Sequence, residues 1–518
     1  MTPSVTEWIT SQRKPEDTNS EQANQNEAAD DVTYYATNGS AVRQNYTAKK
    51  DEMGSGEQRK PESETETKIL DQKTDSNQAI KHVNGFHKNG EVSKSYKNGT
   101  ANGFKSVPYM ETPPEGKKCL GIDGYWYDIG SFINKHPGGP VIEEFVGYDA
   151  TDAYRSFHKS NVLKERHFRP IGYYNKDWFE FNKAMSKLHD DLLEEGFYKV
   201  NYYWYAMKFG LTFLYISLVF ALVGFYGDSW LALSLAAPVL AFFWQQNGFL
   251  MHDLMHTQVT HNRNVDEMLG VWSGTVCIGI SASWWKDEHM YHHALTCIVD
   301  FANNFFDPQM KEEVWAQSPK LFPFFRATRP KLNYILIKIQ HITFIPVCML
   351  LGRTSIIIDS FHLEKRWYEW AGLLLHLTWL ITLLSLIPTW EQLVFFYFWA
   401  QTLQGILHVQ LLSNHYSKEF NDRDQIITDW YRKQVLTNIN IVNPVWLDFW
   451  HGGLNFHIEH HCFPRAPRNR LREISYRIKD VCKQHNVHYD ECGSIEVLKR
   501  TLVHLKKTGD LFALKDPR

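Results

Sequence analysis

Apolar residues are distributed unevenly along this chain, which begins polar and becomes strongly apolar after residue 200. Residues 1 to about 105 are rich in Asn, Glu, Lys, Ser, Thr and Gly and contain few aliphatic residues. Such a stretch cannot bury enough apolar surface to offset the entropy that it would lose on ordering. The pattern therefore predicts a disordered polar head over residues 1–105.

Residues 106–175 have a different pattern, in which short aromatic runs alternate with turn glycines and small amphipathic segments. This pattern predicts a compact α+β module. A module of about 70 residues has a small core and often depends on a bound group for its stability. We therefore expect residues 106–175 to fold around a ligand.

Four apolar runs after residue 200 are each long enough to cross a bilayer, which takes about 20 helical residues. They predict two helical hairpins in a mainly α-helical, multi-pass membrane body over residues 176–518. The predicted spans are 207–226, 229–250, 368–387 and 391–412. Two further apolar segments, 268–285 and 333–352, are ambiguous, because the second contains Lys338, Gln340 and His341.

Histidines are concentrated in three clusters close to the apolar runs. The clusters are an HxxxH motif (His252, His256) and two HxxHH motifs (His289, His292, His293 and His457, His460, His461). Residues three or four apart share one face of a helix, so we expect each cluster to direct its imidazoles at one point. Imidazole suits iron, zinc, copper and nickel, and eight imidazoles exceed the ligand set of one zinc ion. The motifs predict a catalytic pocket with two metal ions.

A shared metal pocket requires all three clusters to lie on the same side of the membrane. The number of crossings between His256 and His289 must then be even, so segment 268–285 cannot span alone. The same argument between His293 and His457 places segment 333–352 in the interface. Lys365 and Arg366 precede the third span on the cluster side, which is the cytosolic side by the positive-inside rule.

Composition changes this picture only slightly. The net charge of −3 gives no indication of nucleic-acid binding. Aromatic residues make up 14% of the chain, and many lie at the ends of the apolar runs, as is typical of membrane interfaces. The seven cysteines are scattered and form no CxxC pair, so we expect reduced thiols and soluble parts that face the cytosol.

A second histidine pair lies inside the α+β module. His136 begins a His-Pro-Gly-Gly turn, and His158 follows Phe157 on a short amphipathic segment; Tyr127 and Phe132 precede the turn. This stretch resembles cytochrome b5, in which two histidines are the axial ligands of one haem. The resemblance implies that His136 and His158 bind haem b. A haem iron with two protein ligands has no open position, so it transfers electrons rather than activating oxygen.

A cytochrome b5 module ahead of three histidine boxes resembles the front-end fatty-acid and sphingolipid desaturases. The match includes Trp284 and Trp285 before the second box, Asp307 after it, and the segment 450–456 before the third box. One departure is His457, because front-end enzymes usually have Gln at this position. The general membrane-desaturase pattern, HxxHH, is satisfied instead.

The resemblance implies an oxidoreductase that inserts a cis double bond between an existing one and the carboxyl end of a polyunsaturated acyl chain, with Δ5 or Δ6 favoured. The implied cofactors are haem b and two non-haem irons at the box histidines, with O2 as co-substrate. Electrons would come from NADH through a separate cytochrome b5 reductase. The substrate would be a fatty acyl lipid or acyl-CoA. The implied location is the endoplasmic reticulum membrane, among membrane lipids, with the boxes and the module on the cytosolic face.

We also expect particular roles for other polar residues near the boxes. Desaturases of this superfamily often take a further ligand from the last transmembrane helix, for which His408 is the first candidate and His415 the second. Asp253 and Glu459 are expected to orient ligating histidines by hydrogen bonds, with solvent exposure as the alternative. Five further histidines are expected to be structural: His261, His341, His362, His376 and His451.

Three other functions stay open at this point. A sphingolipid long-chain-base Δ8-desaturase has similar motifs. An acyl hydroxylase fused to cytochrome b5 would use similar irons, but its product gains one oxygen whereas a desaturase product loses two hydrogens. A non-enzymatic membrane cytochrome that donates electrons to other proteins is the third. The intact eight box histidines argue against this last function.

Overall fold

The structure is a computed structural model that describes residues 107–158, 162–176, 179–300, 305–310, 314–361 and 366–514. The predicted disordered head, together with Lys365 and His362, lies outside these ranges. The described chain is mainly α-helical, with a small α+β module at its N-terminal end, which confirms the predicted fold class. All seven cysteines are free, as expected.

The N-terminal module (described residues 107–158 and 162–176) is built on a three-stranded antiparallel sheet. Its strands β1 (Cys119–Ile122), β2 (Tyr125–Asp128) and β3 (Gly172–Tyr173) lie in the order β1-β2-β3. The hairpin between β1 and β2 is closed by Asp123 and Gly124, both with positive φ (50° and 80°). A two-residue hairpin turn of this kind favours an Asp-Gly pair, because both central residues need positive φ.

Two-residue strands make two further pairs in the rest of the chain. Strands β4 (Val299–Asp300) and β5 (Phe305–Phe306) are antiparallel, and β6 (Asn440–Ile441) and β7 (Glu491–Cys492) are parallel. The remaining elements are helices. The α-helices are α1 (Thr151–Phe157), α2 (Val162–Glu165), α3 (Glu180–Glu194), α4 (Tyr202–Tyr226), α5 (Trp230–Met255), α6 (Arg263–Val271), α7 (Ala282–Ala294), α8 (Phe322–Thr328), α9 (Pro330–Lys338), α10 (Gln340–Ser360), α11 (Trp367–Leu384), α12 (Trp390–Ser413), α13 (Arg423–Thr428), α14 (Trp430–Leu436), α15 (Asp448–His451), α16 (His457–Cys462), α17 (Leu471–Gln484) and α18 (Ser494–Leu514).

The N-terminal module and the helical body share one hydrophobic core. Leu120 and Phe145 of the module belong to the same buried cluster as Trp430 and Phe463 of the body. The Ser156 hydroxyl at the end of the module's helix α1 donates a hydrogen bond to the backbone carbonyl of Cys462 (2.8 Å). Burial of apolar surface is the main source of stability in a folded protein. The shared core therefore holds the module next to α7 and α16.

The long helices of the body carry many large apolar side chains on their outer surface. Leu214 on α4, Leu231 on α5, Leu351 on α10, Leu374 on α11 and Phe398 on α12 are each more than half exposed. Large apolar side chains exposed on so many helices are unusual on a soluble protein and are typical of a surface in contact with lipid. The position of these side chains supports a membrane-embedded body.

Two described helices are long and apolar enough by composition to cross a bilayer, α4 and α10. The predicted spans 207–226, 229–250, 368–387 and 391–412 lie largely on α4, α5, α11 and α12, and their crossing stays a prediction. Segment 333–352, expected in the interface, is divided between α9 and α10 at Ile339. Helix α10 continues to Ser360, beyond the end of the predicted segment, and its position in the interface stays a prediction.

Helices α10 and α12 approach each other closely enough to exclude a side chain at one position. A Cβ atom added to Gly405 on α12 would lie 2.4 Å from the Met349 Cα on α10 and 2.5 Å from its carbonyl oxygen. These are backbone atoms, which cannot turn aside as a flexible side chain can. Gly405 therefore sets the distance between the two helices.

We expect Gly405→Ala to destabilise the protein, because the two backbones must separate. Overpacking of this kind typically costs about 1–3 kcal/mol. The matched control is Gly210→Ala on α4, where no atom lies within 4 Å of the added Cβ. Alanine has the higher helix propensity, so this control should be neutral or stabilising. Thermal unfolding of the full chain in detergent measures both variants, and equal midpoints for them would contradict the close approach.

Candidate metal centre

The histidine boxes form two adjacent groups of buried imidazoles. In each group, one nitrogen from every ring lies within 4.8 Å of the corresponding nitrogen of every other ring. The first group contains five rings: His252, His256, His289, His293 and His460. The second group contains four: His292, His415, His457 and His461. The rings of His293 and His461 stack with centroids 4.2 Å apart, so the two groups are in direct contact.

Each of the two HxxHH boxes contributes to both groups, which corrects the expectation that one box directs all its imidazoles at one point. On α7, His289 and His293 belong to the first group and His292 to the second; on α16, His457 and His461 belong to the second group and His460 to the first. An α-helix turns about 100° per residue, so adjacent histidines point in different directions. The motif HxxHH therefore places imidazoles in both groups.

The spacing of the ring nitrogens fits metal binding. Nε2 atoms face each other at 2.8 Å between His252 and His460, at 2.9 Å between His289 and His293, and at 2.8 Å between His415 and His457. Two imidazoles bound at a right angle to one ion at about 2.1 Å would have nitrogens roughly 3 Å apart. The buried Nε2 atoms of His256 and His461 have no hydrogen-bond partner among the described residues. These atoms are suited to a metal ion.

Burial keeps these imidazoles neutral. Loss of solvent, followed by the effect of neighbouring imidazoles, holds the pKa of His289, His293, His460 and His461 well below the usual histidine range. A neutral imidazole has a lone pair on one nitrogen, which is the form that binds a metal. The donor set consists of nitrogen only, which suits iron and its transition-metal neighbours rather than magnesium or calcium.

Three polar side chains orient the imidazoles through the opposite ring nitrogen. Nδ1 of His292 lies 2.9 Å from a carboxylate oxygen of Asp307, which also accepts a hydrogen bond from the backbone N–H of Cys297 (2.7 Å). The amide oxygen of Gln309 lies 2.7 Å from Nδ1 of His289. Gln434 lies 3.1 Å from Nδ1 of His461. Such contacts fix the tautomer and the direction of the metal-binding nitrogen.

The sequence did not reveal the roles of these three residues, because none of them lies inside a box. Asp307 belongs to the part of the sequence that resembles the front-end desaturases, but the resemblance gives it no role. Its position a dozen or so residues after the second histidine box was the available signal that its carboxylate orients a histidine. Gln309 and Gln434 had no signal of this kind, since glutamines are common in loops and helices.

The two acidic residues inside boxes have different surroundings. A carboxylate oxygen of Asp253 lies 3.5 Å from Nδ1 of His252, and another lies 3.0 Å from Nε of Arg468. Glu459 instead accepts hydrogen bonds from Asn440 (2.7 Å) and Tyr489 (2.8 Å), and burial raises its pKa to about 7. Glu459 therefore anchors α16 to the C-terminal part of the chain and contacts no histidine ring through these bonds.

His415, rather than His408, completes the second group. His415 lies in the turn after α12, and its Nδ1 donates to the backbone carbonyl of Thr437 (3.0 Å) while its Nε2 faces His457. His408 is in neither group and packs against Gly352 of α10. His415 is therefore the candidate for the further ligand that the geometry favours, in place of His408, which the sequence favoured. Sequence favoured His408 because it lies within the helix, whereas the chain turns towards the boxes only after the helix ends.

Two histidines near the boxes have structural partners, as the sequence suggested. Both ring nitrogens of His261 face backbone carbonyls, those of Thr257 (3.1 Å) and Tyr198 (2.9 Å). Nδ1 of His376 lies 3.0 Å from the carbonyl of Val276. Neither residue belongs to a histidine group.

The second histidine pair faces a cavity in the N-terminal module. The rings of His136 and His158 have centroids 5.9 Å apart, and their Nδ1 atoms donate to the carbonyls of Gly139 (2.9 Å) and Tyr154 (3.0 Å). Each Nε2 is thereby left as the metal-binding nitrogen. Two axial imidazoles at about 2 Å from one haem iron would have centroids roughly 6 Å apart. The pair therefore fits a haem.

This haem cavity reaches the first histidine group. His256, a member of that group, lines the cavity together with His136 and His158. Phe157, the neighbour of His158 in the chain, contacts His293 edge to face with ring centroids 6.4 Å apart. The two candidate sites are thus adjacent.

A haem-type module on a helical body with two buried histidine groups defines a two-component oxidoreductase. Comparison with known proteins agrees. The model of the fatty acid desaturase family matches residues 228–493, and the model described as cytochrome b5-like heme/steroid binding domain matches residues 110–199. The chain belongs to the fatty acid desaturase family, in its front-end, cytochrome b5-fused form, whose members are membrane-bound enzymes.

The curated relatives cover both domains. A Delta(8)-fatty-acid desaturase of Arabidopsis thaliana is 30% identical over 76% of this chain and 90% of its own length. A Delta(6)-fatty-acid desaturase of Caenorhabditis elegans is 27% identical over 71% of this chain and 91% of its own length. A Delta 8-(E)-sphingolipid desaturase of Emericella nidulans is 28% identical over 60% of this chain and 59% of its own length.

We expect His415→Ala to lower the content of non-haem metal by about half, because it removes one of four ligands of the second group. The matched control is His408→Ala, on the same stretch of chain but in neither group, which should keep the full metal content. Elemental analysis of the purified full-length variants, normalised to protein, gives the comparison. Loss of metal from the His408 variant with retention in the His415 variant would reverse the assignment.

Proposed function

We propose that this protein inserts a cis double bond between an existing double bond and the carboxyl end of an acyl chain, at a di-iron centre held by the two histidine groups. The observation that carries the proposal is the contact between these groups, with five and four imidazoles, in a chain that also contains a bis-histidine module. Two metal sites side by side suit a reaction that needs two irons to act together. A single structural metal would need only about four ligands.

The proposed ligands are the box histidines His252, His256, His289, His293 and His460 for one iron, and His292, His457, His461 and His415 for the other. Iron bound there would supply the oxidising chemistry that removes two hydrogens from adjacent methylenes, with O2 as the oxidant. The chain's own residues hold the rings neutral and buried. Asp307, Gln309 and Gln434 keep the rings of His292, His289 and His461, respectively, in the tautomer that presents Nε2.

His136 and His158 are proposed to hold haem b, which would supply electrons one at a time. NADH, through a separate cytochrome b5 reductase, is the proposed source. Two observations support internal delivery: His256 lines the haem cavity, and Phe157 contacts His293. Fusion of the module to the body also raises its effective concentration at the metal centre.

The position of the new double bond is proposed from the relatives. The C. elegans relative is named for the Δ6 position, and we propose Δ6 on a fatty acyl lipid or acyl-CoA for this protein. Δ8 desaturation, including that of a sphingolipid long-chain base, is the second candidate, because the A. thaliana and E. nidulans relatives are named for that position. The Δ5 position stays a prediction from the sequence.

His457 occupies the first position of the third box, where front-end enzymes usually have Gln. Its Nε2 faces that of His415, so it is well placed to be a ligand in the second group.

The location proposed for the enzyme is the endoplasmic reticulum membrane, with both candidate sites on the cytosolic face. The exposed apolar surface of the long helices supports the membrane part of this proposal.

Lipid analysis after expression in yeast, with added polyunsaturated acids, tests the function. We expect products that have lost two hydrogens, with the new double bond on the carboxyl side of an existing one. A His293→Ala variant, which lacks a proposed ligand, should form no product. A product that gains one oxygen would instead identify a hydroxylase. Haem without other metal and without product would identify an electron carrier, and altered long-chain bases would identify the sphingolipid activity.

We expect His158→Ala to lose haem absorbance and to reduce desaturation to background, because it removes one of two axial ligands. The matched control is His167→Asn, an exposed histidine of the same module that does not line the haem cavity. This control should keep haem and activity. Absorption spectra and product analysis of the full-length variants measure both effects. Full activity of a haem-free variant would show that the fused module is dispensable.

A further inference from the structure

The haem cavity lies between the N-terminal module and the helical body, and its two walls differ in character. The module's wall is mainly apolar, with Ile129, Phe132 and Val141 among its residues. The body's wall includes three cationic residues, Arg263, Lys286 and Arg465, and Arg166 of the module also faces the cavity. No Asp or Glu is among the described residues that line it. This combination suits a flat apolar ligand that carries anionic groups.

Arg465 is the cation of this wall that lacks a partner. No described carboxylate lies within 4 Å of its guanidinium, and the described chain offers it no hydrogen-bond acceptor. Burial lowers its pKa, and the carboxylate with the closest electrostatic influence, Asp266, is bound to Thr260 (2.7 Å between oxygens). A partly buried guanidinium without an acceptor is costly, since each of its N–H groups loses a hydrogen bond to water.

The other two cations are already paired. Glu267 lies 2.8 Å from Nε of Arg263 and 2.5 Å from Nζ of Lys286. Glu267 also lies 3.7 Å from Arg366, so one carboxylate is shared by three positive charges. The body's wall therefore carries a net positive charge, but only Arg465 has all its donors available for a ligand.

The charge of Arg465 reaches the haem ligand of the module. Arg465 and His158 line the same cavity, close enough for the positive charge of Arg465 to act on the His158 imidazole. The position of Arg465 is also well fixed, because the Gln258 amide donates to the carbonyl of the preceding residue, Pro464 (2.7 Å). Arg465 thus faces the cavity beside an axial ligand and from a rigid part of the body.

We propose that Arg465 of the desaturase body binds a haem carboxylate, so that the body completes the haem site of the fused module. Haem has an apolar ring and two propionate groups, which match the apolar wall and the unpaired guanidinium. Arginine and a carboxylate form strong charge-assisted hydrogen bonds, often two in parallel. The inference rests on the proposed ligation of haem by His136 and His158, and it assigns a cofactor contact outside the module.

This contact would also orient the haem relative to the metal centre. Arg465 lies four residues after His461, on the segment that leaves α16, so the same segment holds a proposed iron ligand and the haem carboxylate. A haem held by the module alone could rotate about the axis through its ligands without loss of either imidazole. The guanidinium would fix that rotation and keep one edge of the ring towards the body.

The test uses the full-length chain, purified without haem and reconstituted with either haem or haem dimethyl ester, in which both carboxylates are blocked. We expect Arg465→Ala to release haem to apomyoglobin about tenfold faster or more than wild type, the effect of one lost charge-assisted hydrogen bond. Its haem midpoint potential should fall, because a positive charge near the iron favours the reduced form. The matched control is Arg477→Ala, a half-buried arginine that is paired with Glu195 and does not line the cavity.

The ester separates a direct contact from a structural effect. In wild type the ester should be released faster than haem, whereas in Arg465→Ala the difference between the two ligands should shrink. Arg465→Lys, which keeps the charge, should recover part of the affinity. If Arg465→Ala does not fold, the wild-type comparison of haem with its ester still decides, and equal release of the two would overturn the inference.

Two results separate this inference from the proposed function. Equal release of haem from wild type and Arg465→Ala, with normal desaturation in both, would overturn the Arg465 contact and leave the function intact. If the ester binds more weakly than haem by the same factor in wild type and in Arg465→Ala, the haem carboxylates contact cations other than Arg465. That result would also overturn the Arg465 contact. A wild-type chain that binds no haem at all would overturn the haem assignment and this inference together.

Discussion

Burial of many neutral imidazoles in one region is the constraint on which the rest of the structure depends. Polar rings removed from water are costly unless each nitrogen has a partner. Several rings have one nitrogen bonded to the protein, as His292 has to Asp307 and His415 to Thr437, and the other directed into a histidine group. A metal ion bound in each group would complete the arrangement, so this part of the fold presents lone pairs rather than burying apolar surface.

Long-range contacts bring the three boxes together from distant parts of the chain. Arg468, just beyond the third box, forms an ion pair with Asp253 inside the first (3.0 Å). Asn440 binds both Glu459 and the backbone N–H of Ile458, which holds α16 against the C-terminal segment. Gly452 makes the approach to the third box possible, because a Cβ atom there would lie 2.2 Å from the Phe249 ring of α5. The metal centre is therefore a tertiary assembly and not a local motif.

The position of the haem module follows from the same assembly. Its helix α1 ends at Phe157, whose ring contacts both His293 and Trp430, and Ser156 binds the backbone of Cys462 directly after the third box. The shared core extends from the module's sheet to α14 and α17. A module fixed in this way would hold a haem beside the candidate metal centre. The body then forms one wall of the haem cavity, and Arg465 is part of that wall.

Local periodicity and short motifs are enough to predict the kinds of chemistry present: the spacing of the boxes, the haem-ligand pair and the apolar helices. How these parts combine depends on the tertiary structure. It divided His292 from His293 and His460 from His461 between two groups, replaced His408 with His415, and assigned Asp307, Gln309 and Gln434 to orient the rings. Spacing along a helix defines which residues share a face. It does not define how that helix is rotated against its neighbours, which depends on packing between residues far apart in the chain.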